Sequence, residues 1–336
     1  MHSTITAVIL AAGKGTRMKS RRAKVLHEVF FKPMLHHVLD SVHRAGIKQT
    51  VVIVGHQRDA VLASIAEYGC SPVVQEEQLG TGHAVLCTET ACENNDQIMI
   101  LCGDTPLVRP ETLQALAKAH AETNSTVTLM TTLLEDPFGY GRIISDQEGN
   151  ILEIVEQKDA DPAQRAIKEI NAGIYLVNRE FLFAALQQVG TDNSQGEVYL
   201  TDIIAIANRE GHKVHKFIHP QAIDVLGVNS RVELAQADKE LQMRHNRTIM
   251  LSGVTLYSPE TILIAPNCTI GQDSVIESGV LISGRSTIGS EVHLETGVVL
   301  DNCRLGDNSV VGAHSVLHNS TIEEREHIPP LTYRVG

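Results

Sequence analysis

The feature of this sequence that most limits its fold is a six-residue repeat in the C-terminal third. Aliphatic residues recur every six positions from residue 264 to residue 317, with one five-residue step between residues 300 and 305. The positions are Ile264, Ile270, Ile276, Ile282, Ile288, Leu294, Leu300, Leu305, Val311 and Leu317. A period of six matches neither the 3.6-residue period of a helix nor the two-residue alternation of a strand. It is typical of a parallel β-helix of hexapeptides, with about three coils over residues 262–317. Pro329 and Pro330 are predicted to end the repeat, as prolines end a strand.

Residues before about position 228 follow a different pattern, in which short β-rich runs alternate with helical patterns. We predict strands at residues 7–11, 50–54 and 97–101, and helices at residues 34–45, 58–68 and 110–121. Such alternation indicates βαβ units on a mostly parallel sheet, which places this region in the α/β class. Sheets of this kind bind ligands at the carboxyl ends of their strands.

Between these two regions the sequence predicts a connecting helix. Ser230 is followed three residues later by Glu233, which fits a capping box at a helix start. We therefore divide the chain into an α/β domain at residues 1–228, a connecting helix at residues 229–250 and a hexapeptide-repeat β-helix at residues 251–336.

Composition excludes some classes of partner. The net charge of −12 disfavours a general binder of nucleic acid or membrane surfaces. No apolar run approaches the roughly 18 residues of a membrane span, and the N-terminus lacks the pattern of a signal peptide, which predicts a cytoplasmic protein. The six cysteines form no CxxC pair and are expected to be buried, reduced thiols. Residues 1–27 contain six Lys or Arg and no Asp or Glu, which suggests a small anionic ligand.

A glycine-rich turn follows the first predicted strand. Its residues Leu10, Ala11, Ala12, Gly13 and Gly15 would let backbone N–H groups approach a phosphate closely. The turn has neither a Walker A pattern nor GxGxxG, and an ordinary βα turn is the alternative interpretation. The nearby cations Arg17 and Lys24 favour the phosphate interpretation, because phosphoryl and nucleotidyl transfer need positive charge where negative charge accumulates.

Two further segments carry candidate binding residues. Asp104 directly follows the apolar strand at residues 97–101, where a carboxylate oxygen could bind Mg²⁺, or could simply cap a turn. The polar segment at residues 75–83 contains glutamines that could bind a base edge, although a polar loop is the simpler interpretation when the segment is taken alone.

Taken in order, these and later motifs resemble one family. The motifs are LAAGKGTRM, KVLH, QEEQLGTGHA, GDTPL, GYGRI, IVEQKDA, EINAGIY, GEVYLTDII and GVNSR, followed by the hexapeptide repeat. They resemble bacterial N-acetylglucosamine-1-phosphate uridylyltransferase, which in that family is the N-terminal half of an enzyme that also acetylates glucosamine-1-phosphate. The resemblance covers nearly the whole chain. It implies a Rossmann-like nucleotidyltransferase domain followed by a short left-handed parallel β-helix, and a product, UDP-N-acetylglucosamine, that serves as a cell-wall precursor.

The resemblance also implies roles for individual residues. The turn at Leu10–Gly13 and Gly15 would hold the nucleotide, Arg17 and Lys24 would be catalytic cations, and Mg²⁺ would be the cofactor. The metal ligands would be Asp104 and Asn229. The residues reading uracil would be Gln75, Gly80 and Thr81. The residues holding the N-acetylated sugar would be Gly141, Glu156, Asn171, Tyr199 and Thr201. The partners would be UTP, N-acetylglucosamine-1-phosphate and two further copies of the chain in a homotrimer.

The sequence departs from the family in two places. Ala23 stands where the family often has a proline before Lys24, which is expected to loosen that loop. The family's NYDG-type acetyltransferase motif does not occur, so we expect uridylyl transfer without acetyl transfer. Two alternatives stay open: a related enzyme for another sugar or nucleotide, such as a thymidylyltransferase, and a non-catalytic module that binds sugar nucleotides.

Overall fold

A computed structural model describes residues 4–336, which form two units. One unit comprises residues 4–28 and 32–233, and the other comprises residues 29–31 and 234–336. The first contains a nine-stranded, mostly parallel sheet with helices, and the second contains three stacked parallel sheets. The prediction of an α/β sheet domain followed by a short parallel β-helix is therefore confirmed.

The first unit alternates strands and helices along the chain. The strands are β1 Ile5–Leu10, β2 Gln49–Val54, β3 Ser71–Val74, β4 Gln97–Cys102, β5 Val127–Leu133, β6 Arg142–Ser145, β7 Ile151–Val155, β8 Glu169–Asn178 and β9 Val214–Ile218. The helices are α1 Met34–Arg44, α2 Arg58–Ile65, α3 Thr81–Leu86, α4 Pro110–Thr123, α5 Pro162–Arg165, α6 Arg179–Leu186 and α7 Ile203–Arg209. Short 3₁₀ turns lie at Thr16–Met18, Lys24–Leu26, Ala66–Tyr68, Thr90–Cys92, Leu200–Asp202 and Ala222–Asp224.

The main path of the sheet has the order β9-β5-β8-β4-β1-β2-β3, with β6 and β7 added beside β8. Along this path β8 alone runs antiparallel to its neighbours. Successive residues of each central strand face opposite sides, so Val8 belongs to one core layer while Ala7 and Ile9 belong to the other. Both layers are buried, which explains why β1 and β4 are continuous apolar runs rather than alternating ones.

The second unit begins with most of α8, Arg231–Leu251, and continues into the hexapeptide repeat. The repeat forms sheets of five, five and four strands, so the chain passes along each side of the β-helix four or five times. Its strands, with one 3₁₀ turn at Pro259–Thr261, are Thr255–Leu256, Leu263–Ile264, Thr269–Ile270, Val275–Ile276, Leu281–Ser283, Thr287–Ile288, His293–Leu294, Val299–Asp301, Arg304–Leu305, Val310–Val311, Val316–His318, Thr321–Ile322, His327–Ile328 and Tyr333–Val335. The predicted aliphatic positions fill its interior, and among them only Ile270 is partly exposed.

The prediction of about three coils is wrong, because paired strands continue beyond both ends of the aliphatic pattern at residues 262–317, within the predicted domain at residues 251–336. Thr255–Leu256 already pairs with Val275–Ile276, and Tyr333–Val335 pairs with Val316–His318. The sequence predicted that Pro329 and Pro330 end the repeat. In the structure they lie in the turn between two strands, where a missing backbone N–H leaves the ladder intact.

Two general expectations can be compared with the described residues. None of the helices in residues 4–336 combines the length and apolar character that crossing a bilayer requires. All six cysteines are free thiols, as expected, but only Cys92, Cys268 and Cys303 are buried, and the other three are half-buried.

Candidate active site

The carboxyl ends of β1 and β4 lie side by side and create the site. Leu10, the last residue of β1, is in register with Cys102, the last residue of β4. The backbone N–H of Gly103 then donates to the Leu10 carbonyl (2.9 Å). The glycine-rich turn after β1 and Asp104 after β4 are therefore neighbours because of strand register alone.

A cleft of about 560 Å³ opens at this edge of the sheet. Its lining includes every residue predicted for the nucleotide turn, the catalytic cations, the base and the metal: Leu10, Ala11, Ala12, Gly13, Gly15, Arg17, Lys24, Gln75, Gly80, Thr81, Asp104 and Asn229. The structure thus brings together residues that are more than 200 positions apart in the sequence.

Lys24 lies at the centre of the charged part of the cleft. Its ammonium group contacts the Asp104 carboxylate and donates to Asn229 Oδ1 (2.7 Å). The guanidinium Nη2 of Arg17 donates to the same Asn229 oxygen (2.8 Å). Lys24 approaches the turn so closely that a Cβ on Gly15 would lie 2.5 Å from the Lys24 Cβ, and Gly15 has φ 59°. Glycine at that position is therefore required by both space and conformation.

Asn229 is held in a fixed orientation by its surroundings. Its Nδ2 donates to the Gly227 carbonyl (3.0 Å), so Oδ1 faces Arg17 and Lys24. The predicted capping box is confirmed, since Ser230 N donates to Glu233 Oε2 (2.8 Å) and Glu233 N donates to Ser230 Oγ (3.3 Å). The start of α8 thus fixes the residue that faces Asp104.

The expectation that Ala23 loosens the lysine loop is not supported. The backbone N–H of Ala23 donates to Gln57 Oε1 (2.8 Å), and Gln57 Nε2 donates to the Arg21 carbonyl. A proline at position 23 has no N–H and could not make the first of these bonds. Gln57 therefore constrains the loop that carries Lys24.

The far end of the cleft carries the residues predicted for the base. Gln75 is buried, and its Nε2 donates to the Gly80 carbonyl (3.1 Å). Gly80 has φ 111°, and a Cβ there would lie 2.5 Å from the Val198 carbonyl oxygen. The Thr81 hydroxyl accepts a hydrogen bond from Leu200 N (3.2 Å). These contacts pack the β3–α3 loop directly against residues 198–200.

The residues predicted for the sugar do not line this cleft, but four of them form a cluster of their own. Asn171 N donates to the Gly141 carbonyl (3.0 Å), and the Thr201 hydroxyl donates to Glu156 Oε1 (3.3 Å). A Cβ on Gly141 would lie 3.4 Å from Glu156 Oε1, which joins the two pairs. Burial raises the pKa of the Glu156 carboxyl, and the Thr201 hydrogen bond opposes that shift.

Tyr199 differs from the other sugar candidates. Its hydroxyl donates to Asp159 Oδ2 (3.1 Å) and accepts from Gln195 Nε2 (2.8 Å), rather than bonding to the cluster around Glu156. The residue as a whole is 7% exposed. The structure therefore does not bring the Tyr199 hydroxyl into the group that the sequence assigned to it.

A bulge in β8 connects the sugar cluster to the cleft. The register of β8 against β5 shifts between Asn171 and Tyr175. Asn171 Nδ2 donates to the Tyr175 hydroxyl (2.7 Å), and Asn171 Oδ1 accepts from Gly173 N (2.8 Å). The thiol of Cys102, which lines the cleft, contacts the Gly173 carbonyl (3.8 Å). Bulges of this kind commonly redirect a side chain towards a site.

Seven further residues line the cleft and were not among the predicted site residues: Lys14, Thr16, Val25, Gln78, Ala84, Cys102 and Glu197. Gln78 donates through Nε2 to the Ala12 carbonyl (2.9 Å) and so ties the β3–α3 loop to the glycine turn. The position of Cys102 at the end of a central strand could have indicated it, whereas Glu197 reaches the site from a loop that no local pattern marks.

The Asp104–Asn229 pair fits a Mg²⁺ site. The two oxygen-bearing side chains converge on one cation, the Lys24 ammonium group. Mg²⁺ is commonly held by one or two protein oxygens together with substrate phosphates. Within residues 4–336 no group of three or more His, Cys, Asp or Glu side chains is arranged to hold a metal ion. A metal at Asp104 and Asn229 would therefore depend on the substrate for further ligands.

Comparison with known proteins gives consistent matches. The nucleotidyl transferase family model matches residues 6–240. The chain is 53% identical over 326 residues to the bifunctional protein GlmU of Desulfotalea psychrophila, with 97% of this chain and 96% of that protein covered. It is 44% identical to the bifunctional protein GlmU of Halalkalibacterium halodurans over 97% of this chain and 72% of that protein. The corresponding protein of Clostridioides difficile is 42% identical, with 97% and 71% covered.

Proposed function

The chain belongs to the GlmU family of nucleotidyltransferases, and we propose from this that it transfers the uridylyl group of UTP to N-acetylglucosamine-1-phosphate. The products are UDP-N-acetylglucosamine and pyrophosphate. The observation that carries the proposal is the convergence of Arg17, Lys24, Asp104 and Asn229 beside a glycine-rich turn. A protein that only bound the sugar nucleotide would not need this combination of cations and metal-type oxygens at the phosphates.

The proposed reaction is an in-line displacement. An oxygen of the sugar phosphate attacks the α-phosphorus of UTP, and the bond from that phosphorus to the bridging oxygen of pyrophosphate breaks. The attacking oxygen is already ionised at neutral pH, so no general base is required. Binding both anions in line supplies much of the acceleration, because it converts an encounter of two like charges into a step within one complex.

The residues of the cleft have distinct proposed roles. The N–H groups of the turn around Gly13 and Gly15 bind phosphate oxygens, and Arg17 and Lys24 stabilise the charge on the α-phosphate and the departing pyrophosphate. Asp104 and Asn229 would hold Mg²⁺, which when bound would offset negative charge on the phosphates. The end of the cleft lined by Gln75, Gly80 and Thr81 binds uracil. The cluster around Glu156 binds the sugar, with Tyr199 acting through Asp159 and Gln195.

Nucleotide selectivity tests the proposal against its nearest alternative. With N-acetylglucosamine-1-phosphate held constant, UTP is expected to be used in preference to dTTP, CTP, ATP and GTP when all are present together. Product analysis by anion-exchange chromatography identifies the nucleotide incorporated. Preferential formation of the thymidine product would replace the uridylyl assignment with the thymidylyl one while leaving the reaction class unchanged.

Glu156→Gln is expected to weaken sugar binding in a pH-dependent manner. A carboxylate that accepts hydrogen bonds from sugar hydroxyls contributes more than a neutral amide, so KM for the sugar phosphate should rise about 10–100-fold at pH 7–8. Because burial raises the pKa of Glu156, wild-type affinity should fall as the pH drops through that raised pKa. The sugar phosphate also titrates, so the informative quantity is the ratio of wild-type to variant KM, which should approach one at low pH.

The same substitution should stabilise the fold at neutral pH. A raised pKa means that the folded chain binds this proton more tightly than the unfolded chain does. Ionisation of Glu156 therefore costs folding free energy, and the cost accumulates as the pH rises from the ordinary glutamate pKa to the raised one. Glu156→Gln removes that cost, so its thermal midpoint should exceed the wild-type value at pH 8 and equal it below the ordinary glutamate pKa. A lower midpoint at pH 8 would contradict this account.

We further propose that the β-helix assembles the chain into a homotrimer. One five-stranded side of the β-helix presents a ladder of outward-facing apolar residues: Leu263, Leu281, Val299, Val316 and Tyr333. Val299→Glu places a charge in the middle of this ladder and is expected to convert a trimer into monomers in light scattering at micromolar concentration. Thr287→Glu, on the four-stranded side, is the control and should leave the mass unchanged. A monomeric wild-type chain would contradict the proposal.

The expected lack of acetyl transfer stays a prediction. The Desulfotalea relative, of which the chain covers 96%, bears the name bifunctional. Acetylation of glucosamine-1-phosphate by acetyl-CoA therefore has to be assayed separately, and turnover above background would refute the expectation.

A further inference from the structure

The segment from Gly139 to Gly141 runs between the two groups of site residues. A Cβ on Gly139 would lie 3.7 Å from Arg17 Nη1, at the charged end of the cleft. The carbonyl of Gly141 accepts a hydrogen bond from Asn171 N (3.0 Å), and Gly141 itself packs against Glu156. Three consecutive residues thus lie beside Arg17 at one end and bond to the sugar cluster at the other.

Tyr140, in the middle of this segment, is half-buried. Burial raises the pKa of the Tyr140 hydroxyl, and the carboxylates of Glu233 and Asp104 add to that shift, while Arg17 opposes it. These neighbours agree with the position of Gly139 against Arg17. The segment therefore lies beside Arg17 at Gly139 and bonds to the sugar cluster through the carbonyl of Gly141.

A buried arginine holds this segment from behind. Arg142 is 1% exposed, and its guanidinium group donates to the Tyr140 carbonyl, to Gln157 Oε1 (2.7 Å) and to the Arg165 carbonyl (3.5 Å). Gln157 Oε1 also accepts the backbone N–H of Gly139 (3.1 Å). Gln157 Oε1 therefore links Arg142 to Gly139, and Arg142 bonds directly to Tyr140.

The hydrogen-bond partners of the Arg142 guanidinium group indicate that it holds backbone in place. Its partners are two backbone carbonyls and one amide oxygen, although burying a charge is costly and is usually compensated by a carboxylate. The planar group can bond in several directions at once, which a lysine ammonium group cannot reproduce with the same geometry. An apolar residue would fill the space at a lower cost, but it would not fix the backbone of residues 139–141.

We propose that Arg142 and Gln157 are positioning residues for nucleotidyl transfer, which fix residues 139–141 and thereby the distance between the sugar cluster and the Arg17–Asp104 group. The proposal rests on the proposed function, because it assumes that one ligand occupies both groups. Displacement in line is sensitive to that distance, since a misplacement of about 1 Å can cost roughly 100-fold in rate.

Gln157→Ala and Arg142→Lys test the proposal. In both variants kcat is expected to fall about 10–100-fold and KM for the sugar phosphate to rise, because the two substrates are no longer held in line. The Kd for UTP, measured by calorimetry without turnover, should change less than about threefold, whereas the Kd for UDP-N-acetylglucosamine, which spans both groups, should rise about tenfold. Gln157→Glu keeps an acceptor oxygen for Arg142 and Gly139 and is expected to retain most of the wild-type kcat.

Ile143→Val is the matched structural control. Ile143 follows Arg142 in β6, is 2% exposed and lies in the core rather than against the segment. It should lower the thermal midpoint without changing kcat, either KM or either Kd. Variants at 142 and 157 that lower the midpoint in this way alone, or that bind both nucleotides as the wild type does, would overturn the positioning role.

Failure of the proposed function would give a different result. A wild-type chain that binds UDP-N-acetylglucosamine but transfers no nucleotide with any sugar phosphate would refute the proposed reaction. The Kd values for UTP and UDP-N-acetylglucosamine would still test whether Arg142 and Gln157 position residues 139–141. A wild-type chain with no affinity for UDP-N-acetylglucosamine would refute both.

Discussion

Asp104→Ala is expected to lower kcat/KM for uridylyl transfer about 100–1,000-fold, because it removes the carboxylate proposed to hold Mg²⁺ beside the phosphates. The side chain is at the end of β4 and outside both core layers, so the fold should survive its loss. Steady-state pyrophosphate release at saturating Mg²⁺ measures the effect. Binding of Mn²⁺ in the presence of UTP, followed by electron paramagnetic resonance, should be weakened in parallel.

Asp59→Ala is the matched control for this substitution. Its side chain is 97% exposed and lies outside the cleft, so activity and Mn²⁺ binding should stay at wild-type values. If Asp104→Ala retained activity within a few-fold while Mn²⁺ binding was unchanged, Asp104 would not be a metal ligand.

Lys24→Met should reduce kcat/KM by a similar factor of about 100–1,000, because it removes a cation that contacts Asp104 and Asn229 and is proposed to stabilise charge on the phosphates. It should also change stability. Lys24 and Asp104 have side chains only 13% and 18% exposed, so loss of the lysine leaves a largely buried carboxylate without its partner. We expect a loss of about 1–3 kcal/mol in the free energy of unfolding.

Magnesium distinguishes this explanation from general damage to the loop. In the wild type the Lys24 ammonium group already occupies the point between Asp104 and Asn229, so millimolar Mg²⁺ alone should change the thermal midpoint little. In Lys24→Met the same concentration should raise the midpoint, since the cation replaces the missing charge. Lys14→Met alters an exposed lysine of the same cleft. It should show neither the loss of stability nor the rise of the thermal midpoint with Mg²⁺. Equal Mg²⁺ responses in all three proteins would contradict the account.

The sequence predicted the α/β and β-helix architecture because both depend on periodicity. The continuous apolar runs at β1 and β4 and the aliphatic positions of the repeat follow directly from burial on two faces or in one interior. The extent of the repeat was missed because Pro329 and Pro330 were treated as terminators. Their position in a turn depends on the stacking of the whole coil, which a local pattern does not contain.

The site was predictable to different degrees. Asp104 and the turn around Gly13 could be placed together from strand order and register. The family resemblance, rather than a local pattern, indicated Asn229, Glu156 and Asn171. Their positions near the cleft depend on a bulge in β8 and on the cap of α8, which a local pattern does not contain. Arg142 and Gln157 lie within the motifs GYGRI and IVEQKDA. The hydrogen bonds that they make to residues 139–141 could not be predicted from those motifs, since a buried arginine looks like a surface arginine in a sequence.

The most direct test of the central claim is pyrophosphate release from UTP and Mg²⁺ with N-acetylglucosamine-1-phosphate, with glucose-1-phosphate, and with no sugar phosphate. We predict rapid release that requires the N-acetylated sugar. Release with glucose-1-phosphate at an equal or higher kcat/KM would contradict the proposed substrate, and no release with either sugar phosphate would contradict the proposed reaction.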